Sequence, residues 1–272
     1  MFIDPITTTL LLRESASNES PPLILMYHGT TPGDIKPSSR YSTTANSFID
    51  QINIIKNFGW NTVCIRDLCN PEKLPSRALA ITFDDGYRNN YAGAYLPLLE
   101  RGMCATWFIV SHERGRYARW MGPRNDENLL LSHEQLAEMA ASGMEIGAHT
   151  RTHPDLSRMD KSEVSSEVAG SKVELEDELG MSVVSFAYPF GRWNEVAVDA
   201  VRSAGYTFAC GVRPGWVNTG TEALLLRRVT VFADDTPGSF ARKLVFATNE
   251  ANWVKMAGYL AARVRDRVSV WR

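Results

Sequence analysis

Short apolar, β-branched runs alternate along this chain with longer segments in which apolar residues recur every three or four positions. Residues 23–27, 62–65, 78–83, 104–110, 144–148, 183–187, 206–210 and roughly 225–232 read as strands. Between them, Phe48, Ile49, Ile52, Ile54, Ile55 and Phe58 keep helical spacing, and further helices are predicted over 91–101, 161–179 and 195–204. Gly102, Gly180 and Gly205 stop those three, and Ser132 with Gln135 forms a capping box for another helix running to Ser142. Strands alternating with helices throughout, with no break in composition, predict one α/β domain around a parallel sheet.

The 272 residues suffice for one such domain with a full core. A net charge of -2 gives no electrostatic case for nucleic acid. The four cysteines lack paired metal-site spacing and suggest reduced thiols. Residues 1–22 carry the Leu10-Leu11-Leu12 patch without a basic stretch or cleavage signature, so the expectation is a flexible segment over 1–21 and a cytoplasmic location, extracytoplasmic only for a trimmed piece of a longer chain.

Chemistry concentrates just after the strands. The run 78–83 delivers Asp84 and Asp85, and Gly86 then permits a sharp turn. This is either a strand-ending turn or a functional pair, since two adjacent carboxylates stay ionised together only when a cation neutralises one. The run 144–148 delivers His149, with His153 four residues on, a spacing that puts both on one face of a helical turn. Thr150 follows His149 where a zinc metalloprotease would have its catalytic Glu. Two imidazoles and one carboxylate leave coordination positions open, as a catalytic metal site requires. The run 23–27 delivers His28.

The phrases Thr82-Phe83-Asp84-Asp85-Gly86 and His149-x-x-x-His153-Pro154 resemble the first two motifs of the polysaccharide deacetylase family (the NodB-homology domain, carbohydrate esterase family 4). The stretches 145–149, 188–191 and 204–206 agree with it, and the resemblance spans about 22–240. It implies a distorted (β/α) barrel of parallel strands with about seven repeats, short of the eight of a complete barrel. It implies metal-dependent hydrolysis of an N-acetyl group on an amino-sugar polymer, oligomer or lipid-linked saccharide. Asp84 is then the general base, and Asp85, His149 and His153 hold a divalent metal, Zn2+ first, Co2+ or Ni2+ as alternatives. In two places the chain departs from the family pattern. Ala187 stands where an Arg normally precedes the Pro-aromatic step, and Leu226-Arg227-Arg228 stands where a histidine acid is expected. A branch similar to the poly-N-acetylglucosamine deacetylases also lacks that histidine and uses one at the end of its first strand, a place His28 fills. Arg228 is then either a replacement for the missing Arg, holding Asp84 ionised, or a structural residue. The backbone N–H of Phe190 is the expected oxyanion donor.

Tyr87, Tyr188, Trp193 and Trp216, with Trp120, are the expected saccharide contacts, because aromatic faces in loops after strands stack on pyranose rings. The basic loop from Arg114 to Arg124 either attracts an anionic group or is simply solvated. Residues 241–272 are expected to form amphipathic helices on the same domain, with Trp253, Met256, Leu260, Val264, Val268 and Trp271 as an apolar stripe; membrane-surface contact is a minority reading. The rival functions are hydrolysis of a small non-sugar amide or ureide and a catalytically silent saccharide-binding relative.

Overall fold

The computed structural model describes residues 21–217 and 221–250, together with Thr8. The strands, in chain order, are β1 (Leu23–Tyr27), β2 (Thr30–Thr31), β3 (Thr43–Thr44), β4 (Asn61–Val63), β5 (Ala78–Phe83), β6 (Thr106–Ile109), β7 (Glu145–Ala148), β8 (Ser185–Ala187), β9 (Phe208–Cys210) and β10 (Val229–Thr230). The helices are α1 (Ala45–Asn57), α2 (Leu96–Glu100), α3 (His133–Ala141), α4 (Lys161–Leu179), α5 (Glu195–Ser203) and α6 (Pro237–Phe246). Every residue of β1 and β5 is buried, which is why their sequences are continuously apolar rather than alternating.

All ladders of the main sheet are parallel, in the order β10-β1-β5-β6-β7-β8-β9. β4 pairs with the first half of β5 and β6 with its end. The sheet curls until Cys210 at the end of β9 meets Leu226, three residues before β10, in a parallel bridge. This is the distorted barrel of about seven repeats predicted above. No helix among the described residues is long and apolar enough to cross a membrane.

Strand alternation sorts the side chains into two cores. Leu23, Leu25 and Tyr27 of β1, and Leu79, Ile81 and Phe83 of β5, face outward and pack with Phe48, Ile52 and Ile55 of α1. Ile24, Ala80, Phe108, Ala187, Cys210 and Leu226 face inward and fill the barrel. Two steps on from Met26, Thr82, Gly147 and Leu226 come His28, Asp84, His149 and Arg228. The inward-facing series of β1, β5 and β7 therefore end in polar groups, and Arg228 joins them from just before β10. Gly147 has to be glycine: a Cβ there would stand 2.6 Å from the Ser185 hydroxyl and 2.7 Å from the Phe108 ring.

Three local predictions change. The segment over 91–101 opens with a π-type turn, Tyr91–Tyr95, before the short α2. Residues 149–153 form a bend rather than a helical turn. The boundary drawn at 240/241 falls inside α6, whose Phe240, Ala241 and Leu244 belong to the outer core, so this helix is continuous with the barrel's packing. The apolar stripe from Trp253 to Trp271 and the segment 1–20, Thr8 excepted, lie outside the described residues.

Candidate active site

Asp84 points inward by strand alternation. Asp85 should point away, but its backbone takes φ 71°, the left-handed region, and this swings its carboxylate to the same side. Gly86, at φ 78°, completes the turn, and its carbonyl accepts from the Leu131 N–H. Thr150, His153 and Phe190 also have positive φ, so four of the six non-glycine residues in that state, among those described, surround one cavity or the bend beside it. Such strain persists where the surroundings over-determine it.

The bend at 149–153 shows how. One Glu167 oxygen accepts from the backbone N–H groups of Arg151 and Thr152, both at 2.9 Å, and the other accepts from the Thr152 hydroxyl at 2.8 Å. The His153 N–H donates to the Thr150 hydroxyl at 3.0 Å. A carboxylate from α4 thus replaces the hydrogen bonds of the predicted helical turn, and the two imidazoles still converge. Glu167 gave no sequence signal, because a buried cap looks like any other helix glutamate.

His149 Nδ1 lies 2.8 Å from the Ala187 carbonyl oxygen, which can only accept, so Nδ1 carries the hydrogen and Nε2 faces the cavity. His149 Nε2 and His153 Nε2 stand 3.4 and 3.2 Å from Asp85 Oδ1, and that buried oxygen has no hydrogen bond. Ligand atoms of the three residues lie within 4.8 Å of one another. Lone pairs converging on a buried carboxylate oxygen need a cation between them, and two imidazoles with a carboxylate suit a divalent transition metal. The donor set fits the metal that the sequence suggests. Trp120 stacks on His153 at 4.4 Å, and Phe190 meets it edge-on at 4.6 Å.

Asp84 belongs to a separate buried pair. Arg228 Nη1 and Nη2 donate to its two oxygens at 2.6 and 2.8 Å, while Nε donates to the Gly211 carbonyl at 2.8 Å and Nη1 also reaches Thr82 Oγ1 at 3.2 Å. Burial, the largest single influence, would raise the Asp84 pKa, but the Arg228 charge and hydrogen bonds, together with His149 and His28, outweigh it and hold the carboxyl below its ordinary value. Burial would likewise raise Asp85, yet the two histidines hold it well below. Burial lowers His149, and the neighbouring carboxylates more than reverse that, whereas in His153 burial prevails and the pKa falls.

Asp84, Asp85, His149, His153 and His28 line one cavity of about 500 Å³ with Tyr87 and Phe190. Its walls include Tyr41, Trp120 and Phe232. The His28 ring packs on Tyr41 at 5.3 Å, and its buried Nδ1 has no hydrogen-bond partner. Three predicted saccharide contacts lie elsewhere. Tyr188 follows inward-facing Ala187, so alternation turns its ring outward into the core against Phe186, fully buried. Trp216 stacks on Trp60, and the next residue bonds to Pro22 at the start of β1, the barrel end opposite the cavity. Trp193 is exposed but lines an adjoining cleft.

A parallel α/β barrel with carboxylates and histidines gathered at the C-terminal ends of its strands has the layout of an enzyme active site. The family model for polysaccharide deacetylases matches residues 72–209, and the chain belongs to that family. Asp84, Asp85, His149, His153 and Phe190 lie within the matched stretch, while His28 and Arg228 lie outside it. The chain is 29% identical over 212 residues to the Bacillus subtilis protein YxkH, covering 76% of this chain and 70% of that one. It is 24% identical over 212 residues to a poly-beta-1,6-N-acetyl-D-glucosamine N-deacetylase of Staphylococcus aureus, covering 73% and 71%. A crystal structure of a polysaccharide deacetylase from Bacillus cereus superposes with a TM-score of 0.72 at 26% identity, over 83% of this chain and 69% of that one.

Proposed function

We propose that the protein removes N-acetyl groups from an N-acetylglucosamine polymer or oligomer, releasing acetate, with a divalent metal held by Asp85, His149 and His153. The observation that carries this reading is the Arg228–Asp84 pair set beside a separate Asp-His-His cluster in one cavity. One carboxylate is kept ionised by a guanidinium while its neighbour is committed elsewhere, which divides base from ligand.

When bound, the metal supplies Lewis acidity, polarising the acetamide carbonyl and lowering the pKa of water. Asp84 takes a proton from the attacking water as the new C–O bond forms. Phe190, at φ 58°, closes the cavity above His153, and its backbone N–H is the proposed donor to the developing oxyanion. The His28 imidazolium gives its proton to the departing nitrogen as the C–N bond breaks, leaving a free amine and acetate. Arg228, fully buried and bonded on all sides by protein, touches no substrate and acts by holding Asp84.

The test is acetate release from N-acetylglucosamine oligomers and polymer, with and without a chelator. Release that stops with chelator and returns with Zn2+, Co2+ or Ni2+ supports the reading. No release by metal-loaded protein from any acetylated glycan, with turnover of a small amide instead, would replace it.

A further inference from the structure

The cavity has unlike flanks. On the β5 side, the loop between β2 and β3 (32–42), which follows β1 in the chain, and the loop after β6 (110–131) are tied together: Glu127 accepts from the Ser38 hydroxyl at 2.7 Å and its backbone N–H at 3.2 Å. β1 and β6 are the neighbours of β5, so this link crosses the end of β5 beyond Asp84 and Asp85. Ser39 and Tyr41 of one loop and Trp120 and Met121 of the other wall the cavity there.

Across the barrel lie β8 and β9, and the cavity continues there. A second cleft, of about 720 Å³, shares Gly191 and Val212 with the first and runs past Trp193, Arg213, Glu222 and Arg227. Gly191 sets the passage between them, because a Cβ there would lie 2.2 Å from a Val212 methyl. Trp193 is 41% exposed, and its ring lies 6.5 Å from the buried ring of Tyr188, tilted at 44°. Arg213 and Arg227 are exposed beside it. An exposed indole offers an apolar platform to the C–H face of a sugar ring, and guanidinium groups donate to hydroxyl and acetamide oxygens.

Resting on the deacetylase reading above, we infer that the β8–β9 cleft is a second saccharide subsite. It seats a sugar adjoining the one being deacetylated, so the substrate chain leaves the reacting centre toward Trp193 and not across the linked loops of the β5 side. The occupant is an uncharged, acetylated sugar unit of the same chain.

The experiment measures equilibrium binding of N-acetylglucosamine, from monomer through tetramer, to the full chain treated with chelator, and acetate release from the same series by the Zn2+-loaded protein. Affinity and kcat/KM should rise with chain length. Trp193→Ala should remove about tenfold of that gain, and Trp193→Tyr should restore most of it. Unfolding curves establish that both variants fold. An unchanged length dependence in Trp193→Ala, or acetate release by the parent protein with no length dependence, overturns the subsite and leaves the deacetylase reading standing. Length-dependent binding that needs Trp193 without any acetate release keeps the subsite and sinks the catalytic reading. Absence of both binding and release removes the two together.

Discussion

Arg228 grips both oxygens of Asp84 from 144 residues away in the chain, at 2.6 and 2.8 Å, and both side chains are buried. Removing the cation alone leaves a buried carboxylate uncompensated. Arg228→Met should lower the unfolding free energy by about 3–5 kcal/mol. The double variant Arg228→Met/Asp84→Asn should recover much of that. Denaturant titrations of the three proteins check it, and a single variant losing under about 1 kcal/mol would show that the pair contributes little.

Asp85 and the two histidines should bind metal independently of activity. His149→Ala and His153→Ala are each expected to lose stoichiometric zinc after dialysis. Elemental analysis of the purified proteins measures this, and a full equivalent retained by both variants would remove the assignment.

Asp84 has a different role, so its variant should separate binding from turnover. Asp84→Asn is expected to retain metal and to lose about a hundredfold or more in kcat, the contribution of a positioned base. Near-parental kcat with full metal content would place the base elsewhere.

His28 ends β1 with an unpartnered, buried Nδ1 beside the cavity. If it protonates the leaving amine, His28→Ala should lose about a hundredfold on N-acetyl substrates. It should lose much less on an aryl acetate ester, whose leaving group needs no proton. Equal losses on both substrates would assign it to binding or structure instead.

Below the cavity, Glu145 sits inside the barrel and accepts from the Thr106 and Ser185 hydroxyls at 2.7 and 2.8 Å and from the Arg66 N–H at 2.9 Å. Burial raises its pKa above the ordinary value, and these donors only partly offset that. A carboxyl raised on folding contributes stability that is present below its unfolded value and lost as pH climbs through the folded value. Glu145→Gln cannot titrate, so the stability of the parent relative to this variant should fall as pH rises above the ordinary carboxylate range. Melting curves at a series of pH values check the sign; a constant difference would show that the folded pKa is not raised.

The chain's local patterns decided a good deal. Apolar runs marked β1, β5 and β6, because strands of a covered parallel sheet are buried on both faces. The capping box at Ser132 and the glycine after Leu179 marked helix ends, because orphan backbone groups there demand particular side chains. The apolar runs already placed His28, Asp84 and His149 directly after strands, so most of the cavity's polar set was legible, although which face each takes came only from the structure. Tyr188 was misplaced: strand alternation, counted from Ala187, turns its ring outward.

Only the tertiary structure decided the rest. Nothing near Arg228 in the sequence names Asp84 as its partner, and nothing near Glu167 says that it caps the bend carrying His153. Trp216 and Trp193 sit in similar sequence surroundings, yet one stacks on Trp60 at the far end of the barrel and the other borders the cleft. Local pattern reports the period of the backbone and the faces it buries. Which distant groups meet depends on how the strands curl and stagger as the barrel closes, and the pairing of β10 with β1 sets that only once the whole chain has folded.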